Sequence, residues 1–396
     1  MYISERLANV NESATLAMSQ KSRELQAKGH DVINLSIGQP DFNTPDHIKE
    51  AAKKAIDENF SKYTPVPGLP VLREAICTKF KRDNQLDFNP SQIVVSNGAK
   101  QSIANIILSL VGPGDEVIIP APYWVSYIEI VNLAQAGNVV VEAGIDQDFK
   151  ITPEQLEAAI TPKTKVFLFS SPSNPTGSLY TRDELRALAD VFVKNPHVVI
   201  VSDEIYELIT FDGKHESIAQ FEELRDRVVI VNGVSKGYAM TGWRIGYIAA
   251  PQWIADACNK LQGQYTSGAC SISQMASAEA LTGTQEPSEM MKETFLRRRD
   301  LVVKMAREIE GMKVNVPQGA FYLFPEVDSY FGKSFDGYDI KDANDLAMYL
   351  LETAFVATVS GEAFGSPKCL RFSYATSDEQ LVEALKRIKT ALDKLK

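Results

Sequence analysis

A lysine and an arginine eight residues apart mark the stretch of this sequence whose chemistry is easiest to recognise. Lys236 follows an apolar run, Val228–Val231, which predicts a buried strand that ends at Gly233. We therefore expect Lys236 and the later Arg244 just beyond a strand end, where α/β proteins place their ligands. A lysine amine can form an imine with a carbonyl if its surroundings keep part of it neutral. The alternative is an ordinary solvated lysine, and the rest of the sequence has to decide.

Polar residues also follow three other apolar runs of the chain. In chain order they are Gly98-Ala99-Lys100, Asn174, and Asp203 with Tyr206. The carboxyl ends of parallel strands meet at one edge of a sheet, so these residues are predicted to converge with Lys236 and Arg244. Each of them alone is weak support for a site. A ligand that needs all of them would explain the combination.

A phosphate group would suit one part of this set. Gly98 and Ala99 open a predicted helix, whose free amides and positive dipole end attract an anion. Arg244 can bind the same phosphate through two donors. Neither the GxxxxGK[ST] nor the GxGxxG spacing occurs there, so a cofactor smaller than a nucleotide is expected.

A protonated ring nitrogen would suit another part of the set. Asp203 at a strand end would be costly as a lone buried charge, and a pyridinium would compensate it. Asn174 and Tyr206 could hold a ring hydroxyl, and Trp124 could stack on the ring. Together with a lysine imine and a phosphate site, these features describe pyridoxal 5′-phosphate. Taken singly, Asp203 could instead be a helix cap and Trp124 a core residue.

Composition argues against several other classes of protein. The chain has 396 residues, 44% of them apolar, which suggests about two domains. Its net charge of −10 and the lack of a basic block make nucleic acid and membrane poor partners. The four scattered cysteines predict reduced thiols in a cytoplasmic protein and no metal site. Neither a signal core nor a membrane-spanning run is expected.

Strands and helices alternate along the chain from about residue 92, and they must position these residues. Apolar strands are predicted at 93–96, 117–119, 139–141, 166–169, 198–201, 228–231 and 243–249, with helices at 101–110 and 182–193. Another helix is predicted earlier, at 46–59. Strands that are apolar throughout and separated by helices indicate an α/β fold with a parallel sheet covered on both faces. The pattern changes after about residue 285, which indicates a second, α+β domain.

Several motifs resemble those of the class I pyridoxal-phosphate-dependent aminotransferases of fold type I. The motifs are Gly38-Gln39-Pro40-Asp41-Phe42, Tyr63-Thr64-Pro65, Tyr123-Trp124-Val125-Ser126-Tyr127, residues 171–177, residues 202–206, Ser235-Lys236 through Arg244, and residues 371–376. They cover nearly the whole chain, and the bacterial aspartate aminotransferase branch is the most similar. The resemblance implies a large domain with a mostly parallel seven-stranded sheet and a smaller α+β domain. We expect an N-terminal arm and part of the small domain over 1–45, a cofactor-binding large domain over 46–285 and the C-terminal small domain over 286–396.

The resemblance also implies roles for single residues. Lys236 would hold the cofactor as an imine and act as general base and then acid. Asp203 would pair with the pyridine nitrogen, Asn174 and Tyr206 would bind the ring 3-oxygen, and Trp124 would stack on the ring. The phosphate would be surrounded by Gly98, Ala99, Lys100, Ser235, Arg244 and, from the neighbouring subunit of a homodimer, Tyr63. Many relatives carry a serine where this chain has Gly233, so that phosphate contact is in doubt.

The same resemblance implies how a substrate would bind. Arg371 would hold the α-carboxylate with help from Gly38, and Trp124 and Asn174 would line the substrate site. For a distal carboxylate the resemblance implies Lys100, which could instead serve the phosphate, together with Ser13 and Thr15. The expected reaction is ping-pong transamination between L-aspartate and 2-oxoglutarate.

Other specificities and other classes remain open at this stage. Within the fold, aromatic, alanine, kynurenine or prephenate/arogenate specificity is possible, as is lyase chemistry. Relatives that use prephenate tend to carry lysine just before Pro-Ser-Ala-Thr, whereas this chain has Asn11-Glu12, so prephenate ranks below aspartate. A cofactor-sensing transcription regulator would need a DNA-binding domain ahead of the fold motifs, which begin by about residue 34. A nicotinamide oxidoreductase is disfavoured by the missing glycine fingerprint.

Overall fold

A seven-stranded sheet forms the centre of the molecule in the computed structural model, which describes residues 3–396. Its strands run in the order β2-β8-β7-β6-β5-β3-β4. Their bounds are β2 Ile93–Ser96, β3 Glu116–Ala121, β4 Gly137–Glu142, β5 Thr164–Ser170, β6 Val199–Asp203, β7 Val228–Gly233 and β8 Gly246–Ala249. All neighbouring strands are parallel except β8, which runs antiparallel to both β2 and β7. The predicted mostly parallel α/β sheet is therefore confirmed.

The central strands are apolar because both faces of the sheet are covered. Every residue of β6, β7 and β8 is buried, as expected for strands packed between two helical layers. The predicted strand beginning at Trp243 starts later, at Gly246, because Thr241–Trp243 form a short 3-10 turn. Arg244 then takes a left-handed backbone conformation with a φ of 58°, which reverses the chain into β8.

Helices cover the sheet, and the last three helices belong to the C-terminal part of the chain. Their bounds are α1 Glu5–Ala8, α2 Ala14–Ala27, α3 Asp46–Asp57, α4 Pro70–Lys79, α5 Ala99–Leu110, α6 Ser126–Leu133, α7 Pro153–Ala159, α8 Arg182–Lys194, α9 Gln252–Tyr265, α10 Ser271–Thr282, α11 Glu286–Arg307, α12 Ala343–Tyr349 and α13 Asp378–Leu392. Helices α1, α4, α7, α9, α10 and α12 were not predicted from the sequence. Among residues 3–396, no helix combines the length and the apolar character needed to cross a bilayer.

Short strands and the last helices form a second body of structure. The strands are β1 Ile33–Asn34, β9 Tyr322–Leu323, β10 Ser334–Phe335, β11 Tyr338–Asp339, β12 Val356–Ala357, β13 Val359–Ser360 and β14 Leu370–Ser373. They pair as β1-β12, β10-β11 and β13-β14-β9, and a hydrophobic cluster joins them to α11 and α13. Because β1 pairs with β12, the start of the chain joins its C-terminal part. The domain limits at 45 and 285 stay a prediction.

Candidate active site

A cavity of about 310 Å³ lies at the carboxyl ends of β5, β6 and β7. It brings together most of the residues that the sequence analysis selected. Those lining it are Ser13, Thr15, Gly38, Ala99, Lys100, Trp124, Asn174, Asp203, Tyr206, Ser235, Lys236, Arg244 and Arg371. Gly98 lies directly before Ala99, and only Tyr63 of the selected set lies apart from the cavity. The topology explains this convergence, because parallel strands deliver their following loops to one edge.

Lys236 lies three residues after β7, and its amine faces other cations rather than a carboxylate partner. Its Nζ donates a hydrogen bond to the carbonyl oxygen of Gly38 at 2.5 Å. Burial lowers the pKa of Lys236 to about 7 together with the nearby Arg371 and Arg244, whose effects outweigh the opposite effect of Asp203. Part of this amine is therefore neutral near pH 7, which is what a nucleophile or a general base requires.

Asp203 is the last residue of β6, and it lies buried in the cavity wall. Tyr127 donates its hydroxyl to Oδ2 at 2.7 Å, and the Ile205 amide donates to Oδ1 at 3.2 Å. Burial raises the pKa of Asp203 to about 6, although both hydrogen bonds oppose the shift. Among residues 3–396, Asp203 has no cation within salt-bridge distance. A protonated ring nitrogen fits this carboxylate as the missing cation.

Arg371 enters the cavity from β14, and its cation is fully buried. Its Nη1 donates to Asn174 Oδ1 at 2.9 Å, and its Nη2 donates to the Ser36 carbonyl oxygen at 2.6 Å. Within the described part of the chain, Nε has no hydrogen-bond partner and no carboxylate pairs with the guanidinium. A buried cation with only neutral partners is costly, so this side chain suits a ligand carboxylate.

The start of α5 and the side chain of Arg244 form a cradle for an anion. Gly98 precedes the helix with a φ of 84°, and a Cβ at this position would collide with the Arg244 guanidinium. Arg244 donates to the carbonyl oxygens of Thr241 at 2.9 Å and Asn97 at 3.2 Å. The first amides of a helix lack acceptors within the helix, so the cradle offers free donors and a cation. These features fit a phosphate.

Lys100 lies at the mouth of the cavity, beside Trp124. Its Nζ is 5.0 Å from the centre of the Trp124 ring. The partial burial of this amine and the nearby Arg244 lower the pKa of Lys100. Ser13 and Thr15 line the same cavity, although they are more than eighty residues away from Lys100 in the sequence. The three side chains could serve a second ligand carboxylate.

Tyr63 and Gly233, two further positions considered for the phosphate, do not line the cavity. The side chain of Tyr63 is fully exposed, at 101% of its reference area, and none of residues 3–396 covers it. Gly233 has no side chain to offer, and a Cβ there would lie 2.7 Å from the Ile245 carbonyl oxygen. The close packing of β7 against β8 therefore favours glycine at this position.

Two tyrosines of the cavity were not selected as site residues from the sequence. Tyr127 donates to Asp203, and Tyr322 shares a 2.7 Å hydrogen bond with the hydroxyl of Tyr206. The Tyr322 ring also lies under the Arg371 guanidinium, 4.7 Å from its centre. Tyr127 belongs to a motif that the resemblance had already used. Tyr322 had no comparable signal, because it belongs to none of the motifs that carried the resemblance.

Together the fold and the cavity define an α/β enzyme with a poised lysine, a buried acid and sites for a phosphate and a carboxylate. Residues 30–388 match the family described as aminotransferase class I and II. The chain therefore belongs to this family of aminotransferases.

Individual relatives agree with that assignment. The chain is 52% identical over 390 residues to an aspartate/prephenate aminotransferase of Cereibacter sphaeroides, covering 98% of each chain. It is 48% identical over 391 residues to an aspartate aminotransferase of Geobacillus stearothermophilus, again covering 98% of each. The crystal structure of an aspartate aminotransferase from Rhizobium meliloti matches all of both chains with a TM-score of 0.97 at 43% identity. That of Thermus thermophilus, solved with maleate, matches 99% of this chain and 100% of its own with a TM-score of 0.93 at 40% identity.

Proposed function

We propose that this aminotransferase holds pyridoxal 5′-phosphate on Lys236 and transfers the amino group of L-aspartate to 2-oxoglutarate. The observation that carries the proposal is that one cavity brings together Lys236, whose amine reaches a carbonyl oxygen, and the buried Asp203, which has no cation within salt-bridge distance among residues 3–396. A cofactor with an aldehyde, a ring nitrogen and a phosphate satisfies the lysine, the acid and the cradle at once. The names of the relatives support the choice of aspartate.

The cavity residues divide the work of the reaction among them. When bound, pyridoxal phosphate supplies an electron sink for the charge that develops at the substrate Cα. Arg371 orients the substrate through its α-carboxylate, because its guanidinium is already fixed by Asn174 and Ser36. Lys236, once the substrate amine has displaced it from the cofactor, would take the proton from Cα and later return a proton as general acid. Asp203, held in place by Tyr127, would hold the ring nitrogen through its carboxylate.

Specificity for a dicarboxylate would come from the mouth of the cavity. Lys100 provides a cation there, and Ser13 and Thr15 provide hydroxyl groups. The Thermus thermophilus structure solved with maleate shows that a related protein accepts a four-carbon dicarboxylate. Arg244 lies close enough to Lys100 to lower the pKa of its amine, so a contribution of Lys100 to the phosphate site belongs to the same proposal.

The proposed enzyme is a homodimer whose two subunits share their active sites. Tyr63 supports this proposal, because its large side chain is fully exposed. The loop that follows it is held by a hydrogen bond from the Gly68 amide to the Pro65 carbonyl oxygen. In a dimer the hydroxyl of Tyr63 would complete the phosphate site of the other subunit. Tyr63→Phe should therefore weaken cofactor retention while leaving the dimer intact by light scattering.

The absorption spectrum of the purified protein tests the cofactor. We expect a yellow band that shifts when aspartate is added and disappears on reduction with borohydride. Mass spectrometry should then find the reduced cofactor on the peptide that contains Lys236. A colourless protein that does not take up added pyridoxal phosphate, or a cofactor attached to another residue, would contradict the proposal.

A panel of amino donors and oxo-acid acceptors tests the substrate. Aspartate and 2-oxoglutarate should give the highest kcat/KM, ahead of alanine, kynurenine and aromatic donors. Prephenate is the second candidate acceptor, because several relatives are named aspartate/prephenate aminotransferases. We rank it lower because this chain has Asn11 where relatives that use prephenate tend to carry a lysine. Asn11 donates its backbone amide and its side-chain amide to Glu129. A higher kcat/KM for prephenate than for 2-oxoglutarate would reverse that order.

A further inference from the structure

Two glutamates that follow cavity residues at the end of β6 and just beyond it do not line the cavity. Glu204 follows Asp203 and Glu207 follows Tyr206, yet neither glutamate lines it. Glu204 is 0% exposed and Glu207 is 7% exposed. Buried carboxylates are stable only with cations or hydrogen-bond donors beside them. The partners of these two glutamates therefore show what the region behind the active site does.

Glu207 is compensated by a buried lysine from α4. Lys79, only 1% exposed, forms an ion pair with Glu207 Oε1. Asn84 donates to Glu207 Oε2 at 3.1 Å and accepts a hydrogen bond from Lys79 at 2.8 Å. These contacts satisfy both carboxylate oxygens and hold the lysine in place.

Glu204 is compensated only in part by neutral groups. Its Oε1 accepts hydrogen bonds from Ser202 at 2.9 Å and Ser217 at 2.6 Å. Its Oε2 lies 3.1 Å from Nε2 of the buried His215. In the described part of the chain, neither this oxygen nor either ring nitrogen of His215 makes a well-directed hydrogen bond. The nearest atoms of Glu204, Glu207 and His215 all lie within 4.8 Å of one another.

Counting charges shows what is missing from this group. Two carboxylates and Lys79 leave one negative charge buried, and a proton on His215 would bring the sum to zero. Burial and the nearby charge of Lys79 lower the pKa of His215. The carboxylates of Glu204 and Glu207 have the larger, opposite effect, so the pKa is raised overall. His215 also borders a polar cavity of about 410 Å³, through which it can exchange a proton; its charged lining residues are Arg182, Lys214, Glu216 and Arg225.

We propose that Glu204, Glu207, Lys79 and His215, named here the buried quartet, hold a proton on His215 and so keep Asp203 ionised for the cofactor. The inference rests on the cofactor role proposed above for Asp203. The coupling has a direct route, because the charge of Glu204 raises the pKa of the adjacent Asp203. A proton on His215 screens that charge and so keeps Asp203 ionised opposite the ring nitrogen.

The protonation of His215 can be measured without the cofactor. The chain has four histidines, so labelled histidine gives few NMR signals, and His215→Gln assigns one of them. We expect the His215 signal of the full-length protein to be that of a protonated ring at pH 7. It should titrate above the usual value of about 6.5. A neutral His215 ring at pH 7 would overturn the proposal, whatever cofactor the protein binds.

Restoring the charge balance tests the link to the active site. His215→Gln should weaken pyridoxal phosphate binding about tenfold and move the acidic limb of the pH profile of kcat/KM up by about one unit. Adding Glu204→Gln removes the opposite charge, so the double variant should recover most of both effects. A double variant as impaired as His215→Gln, or more so, would show a packing defect and overturn the proposal. His197→Gln, at an exposed histidine, is the matched control.

Two further measurements keep the test decisive. If His215→Gln does not fold, Glu204→Gln replaces it, and loss of this carboxylate should move the titration of His215 to lower pH. Elemental analysis of the purified protein should find no stoichiometric divalent metal. A bound metal that is lost in Glu204→Gln would overturn the proton-holding role.

Discussion

The buried Lys79 and the half-buried Lys236 have different kinds of partner in this molecule. Lys79 forms an ion pair with Glu207 and a hydrogen bond with Asn84, so its charge is compensated where it is buried. Lys236 donates to the carbonyl oxygen of Gly38 and has no carboxylate within salt-bridge distance among residues 3–396. Burial, and after it the nearby Arg371 and Arg244, lower its pKa to about 7. The neighbours of a buried lysine decide whether it holds a structure together or performs chemistry.

The comparison predicts the largest effect for removing the amine of Lys236. Lys236→Ala should lower kcat by about 10³-fold or more, because the proposed attachment point and general base are lost together. The variant should keep some cofactor, measured by absorbance after gel filtration. Lys260→Ala, at an exposed lysine of α9, is the control. Activity close to that of the unaltered enzyme would remove Lys236 from the mechanism.

Removing the other buried lysine should affect stability instead. Lys79→Met leaves Glu207 as an unpaired buried charge, and the free energy of unfolding should fall by about 3–5 kcal/mol. Urea denaturation measures this change. The matched control is Lys53→Met, which breaks the exposed pair with Glu50 and should leave the unfolding midpoint almost unchanged. Equal effects of the two variants would refute the structural importance assigned to the buried pair.

Lys100 provides a smaller, substrate-dependent effect at the mouth of the cavity. Lys100→Ala should raise the KM for aspartate about tenfold, the size of one lost charged contact. Alanine has no distal carboxylate, so its KM as a donor should change little. If aspartate affinity is unaffected while cofactor retention drops, Lys100 serves the phosphate and the distal-carboxylate role is wrong.

The smallest effect concerns the cost of burying Lys236 without a carboxylate. Its pKa is about 7 in the folded protein against 10.5 when unperturbed, so between these values the unfolded chain binds more protons. Stability of the cofactor-free protein should therefore rise with pH across that window because of this group. Lys236→Met should be the more stable protein at pH 7, and the gap should close by about pH 10. A constant gap from pH 6 to 10 in urea denaturation would show that titration of Lys236 is not its cause.

The sequence predicted the cavity better than it predicted the surroundings of the cavity. Strand-end positions of Lys236, Asp203 and Asn174 could be recognised because apolar strands have a strong local pattern. Helices α9 and α10 were not predicted from the sequence. Tyr322 could not be recognised either, because its importance depends on hydrogen bonding to Tyr206, more than one hundred residues away.

The run Ser202-Asp203-Glu204-Ile205-Tyr206-Glu207 separates what each level of structure decided. The sequence by itself determined that acids and a tyrosine follow a buried strand, and hence that they meet Lys236 at the edge of the sheet. Only the tertiary structure decided that Asp203 faces the cavity while Glu204 meets His215 and Glu207 meets Lys79. The reason is physical: a strand end is encoded by adjacent residues, whereas the partner of each buried charge comes from distant segments that only packing brings together.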